Sequence, residues 1–181
     1  MPYSCFVVAA PFHFQITRSA FVPGLPASGT LAVADKPGTK ADRVIWKWKG
    51  AATTKQEYGN PLGTTDYALC VYDGASTLVT TAQAPAGGTC AGRPCWKETG
   101  TGYKYRDREP STMLQVVLKE GAAGKAKIGV VGKGGNPALP ALPLAQPARV
   151  QLVNGDGTCW EATYGAPASR NDGTAFKDKA D

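Results

Sequence analysis

Arg43-Val44-Ile45-Trp46-Lys47-Trp48-Lys49 is the stretch that decides the fold class. Branched and aromatic side chains suit a pleated, half-buried surface, and four of these seven residues are of that kind. In a strand, side chains alternate between two faces. Val44, Trp46 and Trp48 therefore share one face, and Ile45, Lys47 and Lys49 share the other. One face asks for a core and the other for water, as in an antiparallel strand half covered by its neighbours.

The same period recurs along the chain. Leu31 to Asp35 alternates and is turned by Pro37-Gly38. Asp66 to Tyr72 reads as a strand ended by Asp73-Gly74, a hairpin turn, with Leu78 to Ala82 returning from it. Leu114 to Lys119, Lys127 to Val131, Ala148 to Val153 and Cys159 to Tyr164 are further strands. Asn136 to Pro147 carries Pro137, Pro140, Pro143 and Pro147 and suits an extended, edge-covering segment. No stretch of eleven residues has helical periodicity. The expectation is an all-β protein, an antiparallel β-sandwich of about eight to ten strands.

The chain also reads as if written twice. Leu31-Ala-Val33 matches Leu114-Gln-Val116, Cys95-Trp96 matches Cys159-Trp160, and Tyr105-Arg-Asp-Arg108 matches Phe176-Lys-Asp-Lys179. An internal repeat of this kind sets the architecture. It predicts two similar half-units in one globular body, 31–110 and 111–181, after an atypical N-terminal segment, 1–30. The spacing of the matched strings places a hairpin insertion in the first half at about 75–92. Residues 6–14 are apolar but short, lack a basic flank and are broken by Pro11. Such a segment is too short to span a membrane and is either a signal-peptide remnant or a packing strand.

With 181 residues and 43% apolar content there is enough to bury a core. The net charge of +6 favours acidic partners. Lys and Arg are scattered and form no basic run, so a nucleic-acid tail is not indicated. Cys70, Cys90, Cys95 and Cys159 are the disulfide candidates, and four cysteines allow three pairings. Cys90–Cys95 would staple a Gly-rich loop; alternatively Cys70–Cys90 ties down the hairpin while Cys95 and Cys159 pair. Cys5 is left over, free or lost in processing.

Tyr67-Ala-Leu-Cys-Val-Tyr-Asp73, Gly88-Thr-Cys-Ala-Gly-Arg-Pro-Cys-Trp96, Gly124-Lys-Ala-Lys-Ile128, Val150-Gln-Leu-Val-Asn154 and Cys159-Trp-Glu-Ala-Thr-Tyr164 together carry a resemblance over about residues 29–181. The chain resembles a family of secreted bacterial β-rich proteins with a duplicated unit and no established activity. The resemblance implies export and oxidised cysteines, and it transfers no catalytic residues.

Catalytic patterns are thin. A Ser–His–acid triad needs a histidine, and His13 in the atypical segment is the sole one. No GxSxG elbow and no GxxxxGK[ST] loop is present. Glu98 and Glu161 lie near the two Cys-Trp pairs, but out of repeat register. Asn154, Asp156 and Asp172 offer oxygen ligands at Gly-flexed turns, a calcium pattern that ordinary turns also produce. No other cofactor is indicated.

The binding pattern is richer. Trp46 and Trp48 alternate with Lys47 and Lys49, and Tyr103 and Tyr105 alternate with Lys104 and Arg106. Exposed, these rings and cations would form a stacking platform for acidic sugars or single-stranded nucleic acid. Buried, the rings would form the core and leave the bases on a solvated face.

The resulting expectation is an extracellular or periplasmic, non-catalytic binding or cell-surface protein. Its leading ligand is an acidic glycan or other polyanion. Nucleic acid is disfavoured, self-association is open, and no segment spans a membrane. The alternatives are a structural or assembly subunit of an extracellular structure, and a carboxylate- or calcium-dependent hydrolase.

Overall fold

In a computed structural model, residues 28–36, 42–74, 76–107, 112–134 and 138–181 are described. Arg43–Lys49 forms strand β2, and its alternation becomes a burial pattern: Val44, Trp46 and Trp48 point into the core while Arg43, Lys47 and Lys49 are exposed. Around it run β1 (Ser28–Ala34), β3 (Tyr67–Asp73), β4 (Thr77–Ala84), β5 (Thr89–Cys90), β6 (Arg93–Pro94), β7 (Trp96–Thr99) and β8 (Gly102–Arg106). The chain continues with β9 (Thr112–Lys119), β10 (Lys127–Gly134), β11 (Ala148–Asn154), β12 (Cys159–Tyr164), β13 (Arg170–Asp172) and β14 (Ala175–Lys179). A single 3-10 turn, Gln56–Tyr58, is the one helical element among the described residues.

Every ladder is antiparallel. The large sheet has the order β13-β14-β1-β2-β10-β9-β8-β7 and the small sheet the order β12-β11-β3-β4, with β5-β6 as a separate hairpin. The inner faces of the two sheets share one apolar core, in which Leu31, Trp46, Leu118 and Ile128 of the large sheet meet Leu69, Val150, Leu152 and Tyr164 of the small one.

Buried indoles need partners for their N–H groups, and all four tryptophans have them. Trp46 Nε1 donates to Tyr164 Oη at 3.0 Å and Trp48 Nε1 to the Glu161 carbonyl at 3.0 Å, so both bonds tie the large sheet to β12. Trp96 Nε1 donates to the Pro85 carbonyl at 2.7 Å, and Trp160 Nε1 to Thr53 Oγ1 at 3.4 Å. The β7–β8 turn closes on Gly102 at φ 149°, where a Cβ would lie 2.1 Å from the Leu118 carbonyl oxygen. Only glycine fits that approach.

Each sheet order maps onto itself when β1, β2, β3, β4, β7 and β8 are exchanged with β9, β10, β11, β12, β13 and β14. Two matched strings of the sequence agree with this exchange in register as well. Val33 stands opposite Phe176, and Val116 stands opposite Tyr105. The Cys-Trp strings do not agree: Trp96 opens β7 at the edge of the large sheet, whereas Trp160 lies in β12 of the small one. Across the 75–92 stretch the chain makes β4 and then β5; β5-β6 is the piece without a counterpart in the exchange.

Cys90 and Cys95 form a disulfide with Cα atoms 5.0 Å apart, closing the β5-β6 hairpin. Cys70 is a free, buried thiol, which corrects its inclusion among the disulfide candidates. With Cys95 bound to Cys90, the alternative pairings Cys70–Cys90 and Cys95–Cys159 both fail. Cys159 is disulfide-bonded as well. Cys5, His13 and most of the atypical N-terminal segment lie outside the described residues. No helix among the described residues is long and apolar enough to cross a membrane.

Candidate functional site

The outer face of the large sheet is where the charge of this chain collects. Strand alternation turns Arg43, Lys47 and Lys49 of β2 outward, opposite in side to Trp46 and Trp48. The ladders carry this parity across the sheet. Lys127 and Lys133 of β10, Lys119 of β9, Lys104 and Arg106 of β8, Lys97 of β7, and Lys177 and Lys179 of β14 all lie on the same outer face and are all exposed.

Their placement follows rows that run perpendicular to the strands. One row reads Lys179, Thr30, Lys47, Gly129, Val117, Lys104, Lys97, one residue from each of seven successive strands. The next row on one side contains Lys49, Lys127 and Lys119 on three adjacent strands. The next row on the other side has Lys177 and Arg106 toward its two ends, separated by Ala32, Ile45, Val131 and Gln115. Beyond it, Arg43 faces Lys133. The floor between the cations is small or aliphatic, and Val117 at its centre is 39% exposed, one of two large apolar side chains so exposed among the described residues.

Carboxylates are almost absent from this face among the described residues. Among the outward strand residues of the large sheet Asp172 is the sole acid, and it is spent locally. Its Oδ2 accepts from Arg170 Nε at 2.7 Å, and its Oδ1 accepts from Thr174 Oγ1 and from the Thr174 and Ala175 amides. The Arg170 hydrogen bond, followed by those of Thr174, holds the carboxyl well below the usual carboxylate range. Like charges directly opposite on neighbouring strands are destabilising, by a few tenths to about 1 kcal/mol per pair. Lys49·Lys127, Lys127·Lys119, Lys104·Lys97 and Arg43·Lys133 are all such pairs. The face carries this repulsion at four cross-strand pairs.

The expected platform is thus half on the surface. Lys47, Lys49, Lys104 and Arg106 share the outer face, but Trp46, Trp48, Tyr103 and Tyr105 are buried at 0%, 5%, 8% and 6% exposure. The reason is parity: rings and cations alternate along each strand, so a core that takes the rings leaves only the cations outside. Tyr105 packs on Trp96 with centroids 5.0 Å apart. The remaining cations of the face went unmarked because no local signal singles them out; they converge only once β10 is placed beside β2 and β8 beside β9.

The calcium candidates serve turns. Asn154 is buried; its Oδ1 accepts from the Asp156 and Thr158 amides and its Nδ2 donates to the Glu57 carbonyl. Asp156 Oδ2 accepts from Thr65 Oγ1 at 2.9 Å. Asp172 stands on the other sheet with its own partners, so the three are not brought together. No cluster of three or more His, Cys, Asp or Glu stands together among the described residues.

Glu98 and Glu161 also part company. Glu98, on β7 of the large sheet, pairs with Lys55 Nζ at 2.5 Å. Glu161, on β12 of the small sheet, accepts from Gln151 Nε2 and lies 3.7 Å from Arg149. A shallow depression of about 450 Å³ is lined by Thr54, Lys55, Gln56, Gly59, Tyr103 and Glu120. Its lysine is held protonated, first by the hydrogen bond to Glu98, and lies 5.4 Å over the Tyr103 ring. A lysine fixed in that state is suited to an ion pair and not to proton abstraction.

Comparison with known protein families, with curated proteins and with solved structures finds no match to this chain.

Proposed function

We propose that this protein is an exported, non-catalytic binding or cell-surface protein that captures polyanions, acidic glycans foremost, on the outer face of its large sheet. The observation that carries the reading is the set of like-charged cross-strand neighbours, Lys49·Lys127·Lys119 above all, on a face whose described strand residues include one acid, itself ion-paired. Lysine ammoniums are compact point charges that do not demand a fixed ligand geometry. With neighbouring strands ~4.8 Å apart and outward residues of one strand ~7 Å apart, they form a lattice that reads charge density. Among the described residues no ring is exposed on this face, which argues against stacking of bases and so favours a glycan over a single-stranded nucleic acid.

The Cys90–Cys95 disulfide supports an oxidising, extracellular or periplasmic setting. The self-mapping strand order, with Val33·Phe176 matching Val116·Tyr105, supports the reading of the body as two similar half-units.

The test is thermal unfolding of the non-reduced protein with sulfated and uronate polysaccharides, neutral polysaccharides of equal length, and calcium or chelator. A ligand of the native state raises the unfolding temperature, by about 2.7 kcal/mol of stability at a hundredfold excess over Kd. Stabilisation by the acidic polymers alone supports the reading; stabilisation by none of them, or equally by neutral ones, contradicts it.

A further inference from the structure

We propose that the ligand of this face is a single linear polyanion laid across the strands, along the row that runs from Lys179 to Lys97. The proposal rests on the polyanion reading above and adds direction and length to it.

Three observations converge on that row. It is continuous: each member faces the next through a ladder register, from β14 to β7, with no break in hydrogen bonding. Its floor is low, because Thr30, Gly129 and Val117 stand between the cations and leave a path at the backbone surface. Cations flank it on both sides, with Lys127 at the middle of one bank and Lys177 and Arg106 toward the ends of the other.

A chain laid along any one strand would meet fewer charges. The richest strand, β2, offers three cations, Arg43, Lys47 and Lys49, and two more, Lys127 and Lys133, from the strand beside it. The row offers four on its own line and five from its two banks. Sheet twist turns successive strands, and the outward direction with them, by ~20–25° about the row's direction, so the track winds as it crosses the sheet. Six strand-to-strand steps of ~4.8 Å give a track of ~29 Å.

Length is therefore the readout. The probe is a series of size-fractionated sulfated linear oligosaccharides, titrated calorimetrically into the full chain at fixed ionic strength. Affinity should rise with fragment length up to a contour of ~29 Å and then level off. Lys179→Ala and Lys97→Ala, at opposite ends of the row, should each weaken track-length fragments about two- to fivefold, as single exposed ion contacts do. Fragments shorter than half the track should be weakened by no more than one of these end variants. Lys47→Ala, inside the row, should weaken track-length fragments by a like factor. Gln83→Ala, exposed on β4 of the small sheet, should change nothing.

Binding that is lost for every length refutes the polyanion reading itself. Binding that persists but plateaus at the shortest fragments, or that is indifferent to both end variants, refutes the track alone. Unfolding temperatures of all four variants, each altered at an exposed side chain, keep loss of fold separate from loss of contact.

Discussion

Lys49 and Lys127 stand directly opposite each other on adjacent strands of the large sheet, and Lys127 in turn faces Lys119. No outward carboxylate of these strands lies between them. Like charges directly opposite on neighbouring strands cost the fold stability, and the sign of one substitution makes this visible.

Lys127→Gln should stabilise the free protein at low ionic strength by a few tenths to about 1 kcal/mol, because it relieves repulsion with two neighbours at once. The same substitution should weaken polyanion binding. Denaturant unfolding and calorimetry on one sample measure both. The gain should fade in high salt, where exposed charges are screened.

Tyr164→Phe should have the converse profile. It removes the acceptor of the Trp46 indole N–H, deep in the core between the sheets. An orphaned buried donor costs about 1–3 kcal/mol. The unfolding free energy from denaturant titration should fall by that amount, with polyanion affinity of the folded protein unchanged.

How much of this was legible in the sequence follows from what is local. Period-two alternation at Arg43–Lys49 is a property of seven residues, and it gave the strand, its parity and the separation of rings from cations. Whether the rings or the cations face solvent is not local; it depends on a second sheet, and Tyr164, 118 residues away from Trp46, decides it. The cations of β9, β10 and β14 were silent for the same reason, since Lys119, Lys127 and Lys49 become neighbours only through the β9-β10-β2 order. The cysteines misled because sequence spacing counts thiols but not depth: Cys70 is walled into β3.

Alkaline pH should unfold the protein sharply. Burial pushes the Tyr58, Tyr67, Tyr72 and Tyr164 hydroxyls and the Cys70 thiol above their ordinary values. Groups raised in the folded state contribute stability that is complete below their unfolded values, near 8.5 for Cys and 10 for Tyr, and that is lost as pH climbs past them. Tyrosinate absorbance from these four should appear together with loss of far-ultraviolet dichroism, not before it. Cys70 should stay inert to maleimide until the same transition.

Replacing Cys90 and Cys95 together by alanine should cost about 2 kcal/mol, the chain-entropy value for so short a loop. The β5-β6 hairpin lies in a sheet of its own, but Cys95 stands two residues before Lys97 and its carbonyl accepts from the Arg106 amide. Polyanion affinity at a temperature where the variant is folded should therefore fall by no more than the Lys97→Ala variant loses, as titration would verify.

The most direct test of the cationic face is the salt dependence of binding to a sulfated polysaccharide, for the parent and for Lys47→Ala/Lys49→Ala/Lys127→Ala. The expected result is a Kd that weakens steeply with ionic strength in the parent, and weaker binding with a shallower slope in the triple variant at unchanged fold. Binding that ignores salt, or a triple variant that binds as the parent does, would contradict the account.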